Sequence, residues 1–210
     1  MASQQLTDHQ IIAVLEPYGI TASGPLCDQI RTYIDLLLRW NQKTSLTTVT
    51  EPEQILRFHF GESMFAAGAI PIRHGRLADV GSGAGFPAVP IRMVSDELNL
   101  VLIESNLKKA TFLAEVVREL NLTRVVVRRS RMEDTDFDDA PVDFVTARAL
   151  GIDDAFLKWA SRSLNSSGSV VLWLGEADSS EIARKNGWNW ASSIRIPQSD
   201  RRFLLRGSKV

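Results

Sequence analysis

A loop with three alternate glycines constrains this fold more than any other feature of the sequence. It follows a short apolar segment, residues 77–80, and precedes a helical stretch, residues 88–94, so the order is strand, tight loop and helix. Because the glycines at 81, 83 and 85 have no β-carbon, the backbone can take positive φ angles and a ligand can touch it directly. The loop is typical of a site that binds a nucleotide-like molecule.

Two side chains beside the loop indicate which kind of molecule it binds. The third position of a dinucleotide-binding Gly-x-Gly-x-x-Gly motif requires a small residue, whereas this chain has Phe86 there. Asp79 ends the strand just before the loop, and its carboxylate would repel a pyrophosphate but attract an ammonium or sulfonium group. Together the two side chains favour a positively charged cofactor.

The next predicted strand ends in a second acid. Residues 100–103 form an apolar run followed by Glu104, which comes 25 residues after Asp79 (104 − 79). This spacing is close to that of an acid that binds a pair of ribose hydroxyls. A turn without a ligand would explain the glycines alone, but two acids at neighbouring strand ends favour a binding site.

The composition is that of a single domain with a terminal extension, since 44% of the 210 residues are hydrophobic. One cysteine, Cys27, excludes an internal disulfide, and His9, His59 and His74 lie too far apart for a zinc motif. No apolar run reaches the roughly 18 residues of a membrane span, and MASQQLTDHQ lacks the regions of a signal peptide. We therefore expect a cytoplasmic protein without a metal or a membrane partner.

The charge is nearly balanced overall but uneven along the chain. A net charge of −1 and a pI near 6.3 argue against a surface that is basic all over. One cluster, residues 124–131, precedes an acidic stretch, and a second cluster lies at the end of the chain. The second cluster predicts RNA phosphate contacts, although a solvated face is the commoner reason for a charge run; its cations are Arg195, Arg201, Arg202, Arg206 and Lys209.

Residues 1–70 predict a helical extension. Residues 7–10, Thr-Asp-His-Gln, have the pattern of a capping box that opens a helix, and Gly19 is its stop signal. A longer helix is predicted over residues 26–41, because apolar residues recur there at three- and four-residue spacing. A third helix begins at Pro52 and continues to about residue 68.

Residues 71–210 predict an α/β domain with a doubly wound, mostly parallel sheet of seven strands. Five strands are expected at 77–80, 100–104, 123–127, 142–147 and 169–174. The helices between them are expected near 87–95, 107–120, 152–164 and 176–186. Two final strands, 190–196 and 203–206, are expected to pair antiparallel at one edge.

The candidate site lies at the carboxyl ends of the parallel strands, where neighbouring connections diverge. The first two strands contribute the acids and the glycine loop, the third contributes residues 130–133, and the fourth contributes Arg148. Met132 can lie flat on an adenine while Glu133 meets its edge, although simple packing explains this methionine equally well. Phe86 either forms a wall of the cofactor site or only fixes the loop.

Arg148 is the most informative of these residues. It ends a buried strand, where a guanidinium requires a carboxylate, carbonyl or phosphate partner. An internal ion pair with Asp79 or Glu104 is one interpretation. A functional role is favoured, because this strand end is the one nearest the reacting methyl in such an architecture.

Several motifs resemble those of one family. The segment 79–87 is similar to the first motif of class I methyltransferases that use S-adenosylmethionine. Over residues 29–175 the chain resembles the ribosomal RNA small subunit methyltransferase G family, also called glucose-inhibited division protein B. The matching motifs, in order, are residues 33–41, 45–47, 59–63, 79–87 and 148–149.

This resemblance implies methylation of guanine N7 in 16S ribosomal RNA, with S-adenosylmethionine as cofactor and the RNA or the small ribosomal subunit as partner. Matching the motifs residue by residue implies cofactor contacts at Gly81, Phe86, Met132, Glu133 and Arg148. With the two acids and the rest of the loop, the predicted cofactor site comprises Asp79, Gly81, Ser82, Gly83, Gly85, Phe86, Glu104, Met132, Glu133 and Arg148.

The chain departs from the family pattern at four positions. Ser45 replaces an asparagine, Glu62 an aspartate and Ala88 a glycine, and these changes are mild. Leu174 stands where the family has a lysine, which removes a cation from the rim of the site. The substrate is thus less firmly implied than the cofactor.

The chemistry implied for guanine N7 requires no general base, because N7 carries an in-plane lone pair. Catalysis then depends on positioning, which can contribute roughly 7 to 11 kcal/mol. Three residues are predicted to act on the substrate side. Glu62 stabilises the developing cation, and His59 or Arg148 holds a phosphate or the guanine O6.

Other interpretations of the sequence remain open. One is a methyltransferase that acts on a small molecule or a protein, which the mild acidity and Leu174 favour. Another is an RNA- or cofactor-binding module that has lost catalysis. A nicotinamide dehydrogenase is a distant third, and a monomer is expected in every case.

Overall fold

The computed structural model describes residues 5–210, so the first four residues of the predicted extension lie outside it. Helix α1, Asp8–Leu15, begins with the predicted capping box, in which the Thr7 side chain accepts from the Gln10 amide. It ends in a 3₁₀ turn, Glu16–Tyr18, and Gly19 follows with φ of 73°. The predicted start and stop of this helix are therefore confirmed.

Helix α2, Gly24–Asn41, buries the apolar face that its periodicity predicts. Ile30, Tyr33 and Leu37 have no exposed surface. The predicted third helix forms in three consecutive parts: α3 (Pro52–Ile55), a π-helical segment (Leu56–Gly61) and α4 (Glu62–Ala69). The sequence pattern did not reveal the π-helical segment, a feature that often occurs at functional sites.

The sheet has the predicted mixed architecture. Its strands are β1 (His74–Val80), β2 (Glu97–Ile103), β3 (Val125–Arg128), β4 (Val142–Arg148), β5 (Leu164–Gly175), β6 (Trp188–Trp190), β7 (Ile194–Arg195) and β8 (Arg202–Lys209). The order is β3-β2-β1-β4-β5-β8-β6, and β7 also pairs with β8. The first five strands are parallel to their neighbours, and β8 is antiparallel to β5.

The strand count differs from the prediction by one. The single strand expected over residues 190–196 forms as two pieces, β6 and β7, and both pair antiparallel with β8. Both pieces lie on the side of β8 that faces away from β5, so the two share one position at the edge. The sheet has eight strands in seven positions, and the predicted fold class is confirmed.

The remaining helices connect the strands as predicted and divide the core into two layers. They are α5 (Ala88–Met93), α6 (Leu107–Glu119), α7 (Asp154–Ser163) and α8 (Glu176–Ile182). One hydrophobic cluster joins the N-terminal helices to one face of the sheet, and a second packs α7 and α8 on the other face. No helix within residues 5–210 is long and apolar enough to cross a membrane.

The connections between the strands determine where a ligand site can lie in the sheet. From β1 the chain moves outward to β2 and β3 and then returns to β4 on the other side of β1. The carboxyl ends of β1 and β4 therefore flank the point where the connections diverge, which is where ligands bind in open α/β sheets.

Candidate functional site

The glycine loop is held in shape by its own amides. The amides of Gly81 and Ser82 donate to the Ile103 carbonyl at 2.9 and 3.1 Å, and the Gly83 amide donates to the Glu104 carboxylate at 2.9 Å. The Ser82 hydroxyl donates to the Asp79 carbonyl at 3.0 Å. A ligand that reaches the loop therefore meets its bare Cα surface, because these amide donors are already used.

The three glycines serve different purposes. All have positive φ, but a β-carbon on Gly81 would meet only Leu150, at 3.7 Å, and one on Gly83 would meet only the loop itself. A β-carbon on Gly85 would lie 2.2 Å from the Tyr33 hydroxyl. That hydroxyl donates to the Ala84 carbonyl at 2.5 Å. A β-carbon would thus make only ordinary van der Waals contacts at Gly81 and Gly83, whereas the absence of one at Gly85 lets α2 pack against the loop.

Asp79 is the buried acid at the end of β1. Its side chain is 1% exposed, and Oδ1 accepts a hydrogen bond from the Thr146 hydroxyl at 2.6 Å. Its Oδ2 has no partner among residues 5–210. Burial raises the pKa of Asp79 to about 7, against the opposing effect of the Thr146 hydrogen bond. An acid with a spare buried oxygen and a raised pKa is suited to a cationic ligand, which would favour its ionised form.

Glu104 is fixed by the backbone on both sides. Its Oε2 accepts from the Gly83 amide at 2.9 Å and its Oε1 from the Asn106 amide at 2.8 Å. A carboxylate has about four lone-pair sites, so each oxygen can still accept a further hydrogen bond. Glu104 lines the crevice described next, as an acid that binds ribose hydroxyls should.

A crevice of about 350 Å³ opens at the carboxyl ends of the strands. It brings together four of the ten predicted cofactor residues, Gly81, Glu104, Met132 and Glu133, and adds a wall from the segment after β4. The other six do not line it: Asp79, Ser82, Gly83, Gly85, Phe86 and Arg148. Its lining includes Val80, Gly81, Ile103, Glu104, Ser130, Met132, Glu133, Leu150, Asp153 and Phe156. It combines apolar walls with acids, which fits a nucleoside that carries a positive charge.

A buried cluster of charges lies on the other side of the site. Glu62 is 1% exposed, and its carboxylate accepts from Arg148 Nη2 at 2.8 Å and from Arg202 Nη1 at 2.7 and 2.8 Å. The Trp173 indole donates to the Glu62 carbonyl at 3.0 Å. This Arg148–Glu62–Arg202 triad joins the N-terminal helices to β4 and β8.

Arg148 does not pair with Asp79 or Glu104, so that interpretation of the sequence is wrong. Its Nη2 donates to Glu62 and to the Phe58 carbonyl, both at 2.8 Å. Its Nη1 is buried and makes no hydrogen bond within the described part of the chain. Burial lowers the pKa of Arg148 to about 10, so the guanidinium stays charged at neutral pH and has a donor to spare.

His59 is a neutral stacking residue. Its ring lies 4.7 Å from that of Phe86, at an interplanar angle of 25°, and its Nε2 is 2.8 Å from the Thr47 hydroxyl. Burial, followed by the nearby Arg148 and Arg202, lowers the pKa of His59 to about 3. His59 is therefore neutral at pH 7, and its predicted role of holding a phosphate or the guanine O6 would rest on a hydrogen bond rather than on charge. Its Nδ1 is buried without a partner within residues 5–210.

The five C-terminal cations do not act as one group. Arg195 pairs with Asp200 at 2.9 Å, and Arg202 belongs to the triad. Arg206 donates to the Ser169 hydroxyl and Lys209 to the Leu164 carbonyl. Only Arg201 has a side chain with no hydrogen-bond partner among residues 5–210. The charge run therefore overstates the basic surface that this segment offers to RNA.

Sequence reasoning missed three residues that shape the site: Tyr33, Thr146 and Leu150. Tyr33 was identified only as part of an apolar helix face. Thr146 lies opposite Asp79 in the β1–β4 register, which no local pattern reveals. Leu150 follows Ala149, whose φ of 55° is unusual for a residue with a side chain. Leu174, where the family has lysine, is half-buried against the second core cluster.

Comparisons with known proteins match most of this chain. A family model described as rRNA small subunit methyltransferase G matches residues 26–198. The relative of that name from Desulfitobacterium hafniense is 34% identical over 167 residues, covering 78% of this chain and 69% of the relative. The relative of that name from Halorhodospira halophila is 35% identical over 169 residues, covering 80% and 79%.

Solved structures agree on the fold. A SAM-dependent methyltransferase from Aquifex aeolicus superposes with a TM-score of 0.60 at 18% identity, covering 70% of this chain and 89% of that one. At that identity the likeness concerns the sheet and its helices, not the substrate.

Proposed function

The chain belongs to the rRNA small subunit methyltransferase G family, and from that membership we propose that it transfers a methyl group from S-adenosylmethionine to N7 of a guanosine in 16S ribosomal RNA. The observation that carries the proposal is the spare buried oxygen of Asp79 beside two glycines at positive φ, where a β-carbon would make no close contact. Such a combination is suited to a positively charged cofactor that approaches the backbone closely.

The residues at this edge of the sheet fit this cofactor; Glu104, Met132 and Glu133 line the crevice, and Asp79 is buried at the end of β1. Asp79 faces its positive charge, Glu104 accepts from its ribose hydroxyls, and Met132 and Glu133 hold its adenine. When bound, S-adenosylmethionine supplies an electrophilic methyl group on sulfur. Gly81 and Gly83 provide the open surface of the loop, while Ser82, Gly85 and Phe86 hold the loop in place.

The triad acts on the substrate side. Arg148 has an unused donor at Nη1, which suits a guanine O6 or a phosphate oxygen. Glu62 is 1% exposed and its carboxylate faces two guanidinium groups, so Glu62 acts by positioning Arg148 rather than by touching the developing cation. His59, which is neutral, contributes a stacking surface and a hydrogen bond.

The target guanosine is unpaired or is opened on binding. N7 faces the major groove, and in A-form RNA that groove is too deep and narrow for side chains to enter. Extruding a nucleotide costs a few kcal/mol and costs least where the base is already unpaired. The substrate is thus a loop nucleotide, or one that is opened on binding, in 16S RNA or in the small ribosomal subunit.

We place the enzyme in the cytoplasm as a monomer, with residues 1–70 as a helical extension of the methyltransferase domain 71–210. The contacts of Tyr33 and Glu62 with that domain support this arrangement. Light scattering at micromolar concentration tests the oligomeric state, and a dimer would contradict it.

The decisive experiment is in vitro methylation of small subunits from cells that lack this protein. Nuclease digestion and mass spectrometry should show one new 7-methylguanosine. Arg148→Ala should abolish that product while calorimetry shows unchanged binding of S-adenosylmethionine. The matched control is Arg162→Ala, which removes an exposed arginine of α7 and should leave the product unchanged. Wild-type protein that binds the cofactor but methylates no RNA would contradict the proposed function.

A further inference from the structure

A second cavity lies between α2 and α6, outside the crevice. Its volume is about 490 Å³, and we call it the α2–α6 pocket; it is lined by Arg39, Trp40, Lys43, Thr44, Lys108 and Glu115. Three of these six side chains are cationic, and Arg39, Lys43 and Lys108 are all exposed. The pocket is therefore open to a ligand from solvent and is positively charged.

The cations of this pocket are not neutralised by the protein. None of the three forms a salt bridge with any residue from 5 to 210. The single acid in the lining, Glu115, accepts the indole N–H of Trp40 at 2.9 Å, which holds the ring as one wall of the pocket. The edge-on packing of Trp40 against Phe112, with ring centroids 5.8 Å apart, fixes that wall further. The pocket thus offers three free cations around an ordered aromatic side chain.

The pocket adjoins both halves of the site. On one side, Lys108 lies four residues after Glu104, which lines the crevice. On the other side, Asn41 at the end of α2 accepts from the amides of Leu46 and Thr47, and the Thr47 hydroxyl contacts His59. The pocket is therefore connected to Glu104 along the chain and to His59 through Asn41 and Thr47.

The side chains, not the helix end, would hold a ligand here. The Asn106 side chain accepts from the amides of Lys108 and Lys109, so the first amides of α6 are already used. Positively charged grooves with an aromatic wall are typical of proteins that bind single-stranded nucleic acid.

We propose that the α2–α6 pocket binds the sugar–phosphate backbone of the RNA strand that carries the target guanosine, with Arg39, Lys43 and Lys108 on the phosphates. This inference rests on the proposed function for the identity of the RNA. It also supplies an anchor on the N-terminal helices, since Arg39 and Lys43 belong to α2 and to the turn that follows it. RNA binding is thereby placed at the junction of the extension and the sheet.

The test compares two triple variants. Arg39→Gln/Lys43→Gln/Lys108→Gln removes the cations of the pocket. The control, Lys158→Gln/Arg162→Gln/Arg184→Gln, removes three exposed cations that line a separate cavity beside α7. Both variants lose the same charge, so an effect of net charge alone would be equal in the two. The measurements are affinity for a single-stranded 16S RNA fragment against salt, KM for small subunits, and affinity for S-adenosylmethionine.

The pocket variant should lower the salt slope, the change in log K with log salt concentration, by about 2, since each phosphate contact on a single strand contributes about 0.7. Its KM should rise about tenfold or more, with cofactor affinity unchanged. The control should keep the wild-type slope and KM. A pocket variant with the wild-type slope, or a control that loses as much, would overturn the proposal. Failure of the proposed function would show instead in wild-type protein that binds RNA without methylating it.

Discussion

The two halves of the site are built in opposite ways. The cofactor half leaves capacity unused: Asp79 has an oxygen without a partner within residues 5–210, and no close contact blocks the loop surface at Gly81 and Gly83. The substrate half uses most of its capacity internally, because both oxygens of Glu62 accept from Arg148 and Arg202. The first half is prepared to receive a ligand, whereas the second is a rigid frame that offers few free groups.

The difference also lies in how the chain supplies each half. The acids and the glycine loop fall within residues 79–104, one strand–helix–strand unit. The triad joins residues 86 and 140 positions apart in sequence. The acids and the loop of the cofactor half therefore come from one local unit, whereas Met132 and Glu133 and the whole of the triad depend on segments that are distant in sequence.

The largest effect is expected from removing the charge at the centre of the triad. Glu62→Gln leaves the buried Arg148 without its counter-ion, and breaking a buried ion pair in this way costs about 3–5 kcal/mol. Urea unfolding measures the loss, and RNA methylation should fall with it. Glu53→Gln, which removes an exposed partner of Arg57, is the control and should cost less than about 1 kcal/mol. A Glu62→Gln protein as stable as wild type would mean that the triad is not a structural frame.

The glycine loop allows a position that packs against α2, Gly85, to be compared with one that does not, Gly83. Gly85→Ala places a β-carbon 2.2 Å from the Tyr33 hydroxyl at a φ of 86°, so strain and displacement of α2 add together. We expect a loss of about 2–4 kcal/mol in the free energy of unfolding. Gly83→Ala has only the strain of its φ of 55° and should cost about 1–2 kcal/mol.

A double variant identifies the cause of that loss. Tyr33→Phe removes the hydroxyl that the new β-carbon would meet, so it should recover part of the loss caused by Gly85→Ala but none of that caused by Gly83→Ala. Equal recovery in both backgrounds would show that contact with α2 is not what requires Gly85.

Asp79→Asn tests the electrostatic role of Asp79 in the cofactor half of the site. Binding of S-adenosylmethionine should weaken about tenfold or more at pH 8, which corresponds to about 1.4 kcal/mol of lost attraction. Because the pKa of Asp79 is raised to about 7, the wild-type affinity should rise between pH 6 and 7.5 as the acid ionises. The Asp79→Asn protein should lack that rise, and calorimetry at several pH values makes the comparison. An identical pH profile in both proteins would refute the electrostatic role.

The same residue predicts a pH dependence of stability. The folded pKa of about 7 lies above the ordinary aspartate value of 3.8, so the folded state holds its proton when the unfolded chain has released it. The contribution of Asp79 to stability is thus complete below about pH 4 and is lost as the pH rises toward 7. Asp79→Asn should flatten that part of the curve of unfolding free energy against pH.

The sequence correctly predicted the positions of residues that lie at the ends of consecutive strands. Asp79, Glu104 and Arg148 each follow an apolar strand, and parallel strands bring their carboxyl ends together, so their convergence followed from the pattern. The role of Glu62 did not, because nothing near it in sequence specifies Arg202 as a partner. Arg202 was grouped with the C-terminal cations for its charge, and only the register of β8 beside β5 reveals its place in the triad.

Packing between distant segments explains the other differences. The glycines at 81, 83 and 85 look alike in sequence, yet Gly85 is specified by Tyr33, 52 positions earlier (85 − 33). The segment Leu56–Gly61 reads as ordinary helix, and no apolar period separates a π-helical turn from an α-helical one. A charge run likewise shows how many cations exist but not which of them have partners.

The smallest effect is expected at the C-terminal cations, where partnered and free arginines can be compared. Arg201 has no ion-pair partner within residues 5–210, so Arg201→Gln should lower the salt slope of RNA binding by about 0.7 if it meets one phosphate. Arg195 already pairs with Asp200 and donates to the Ser199 carbonyl, so Arg195→Gln should leave the slope unchanged. Fluorescence anisotropy with a 16S RNA fragment at several salt concentrations measures both. Equal slopes for the two variants would mean that the internal pairing of Arg195 does not decide which cations meet RNA.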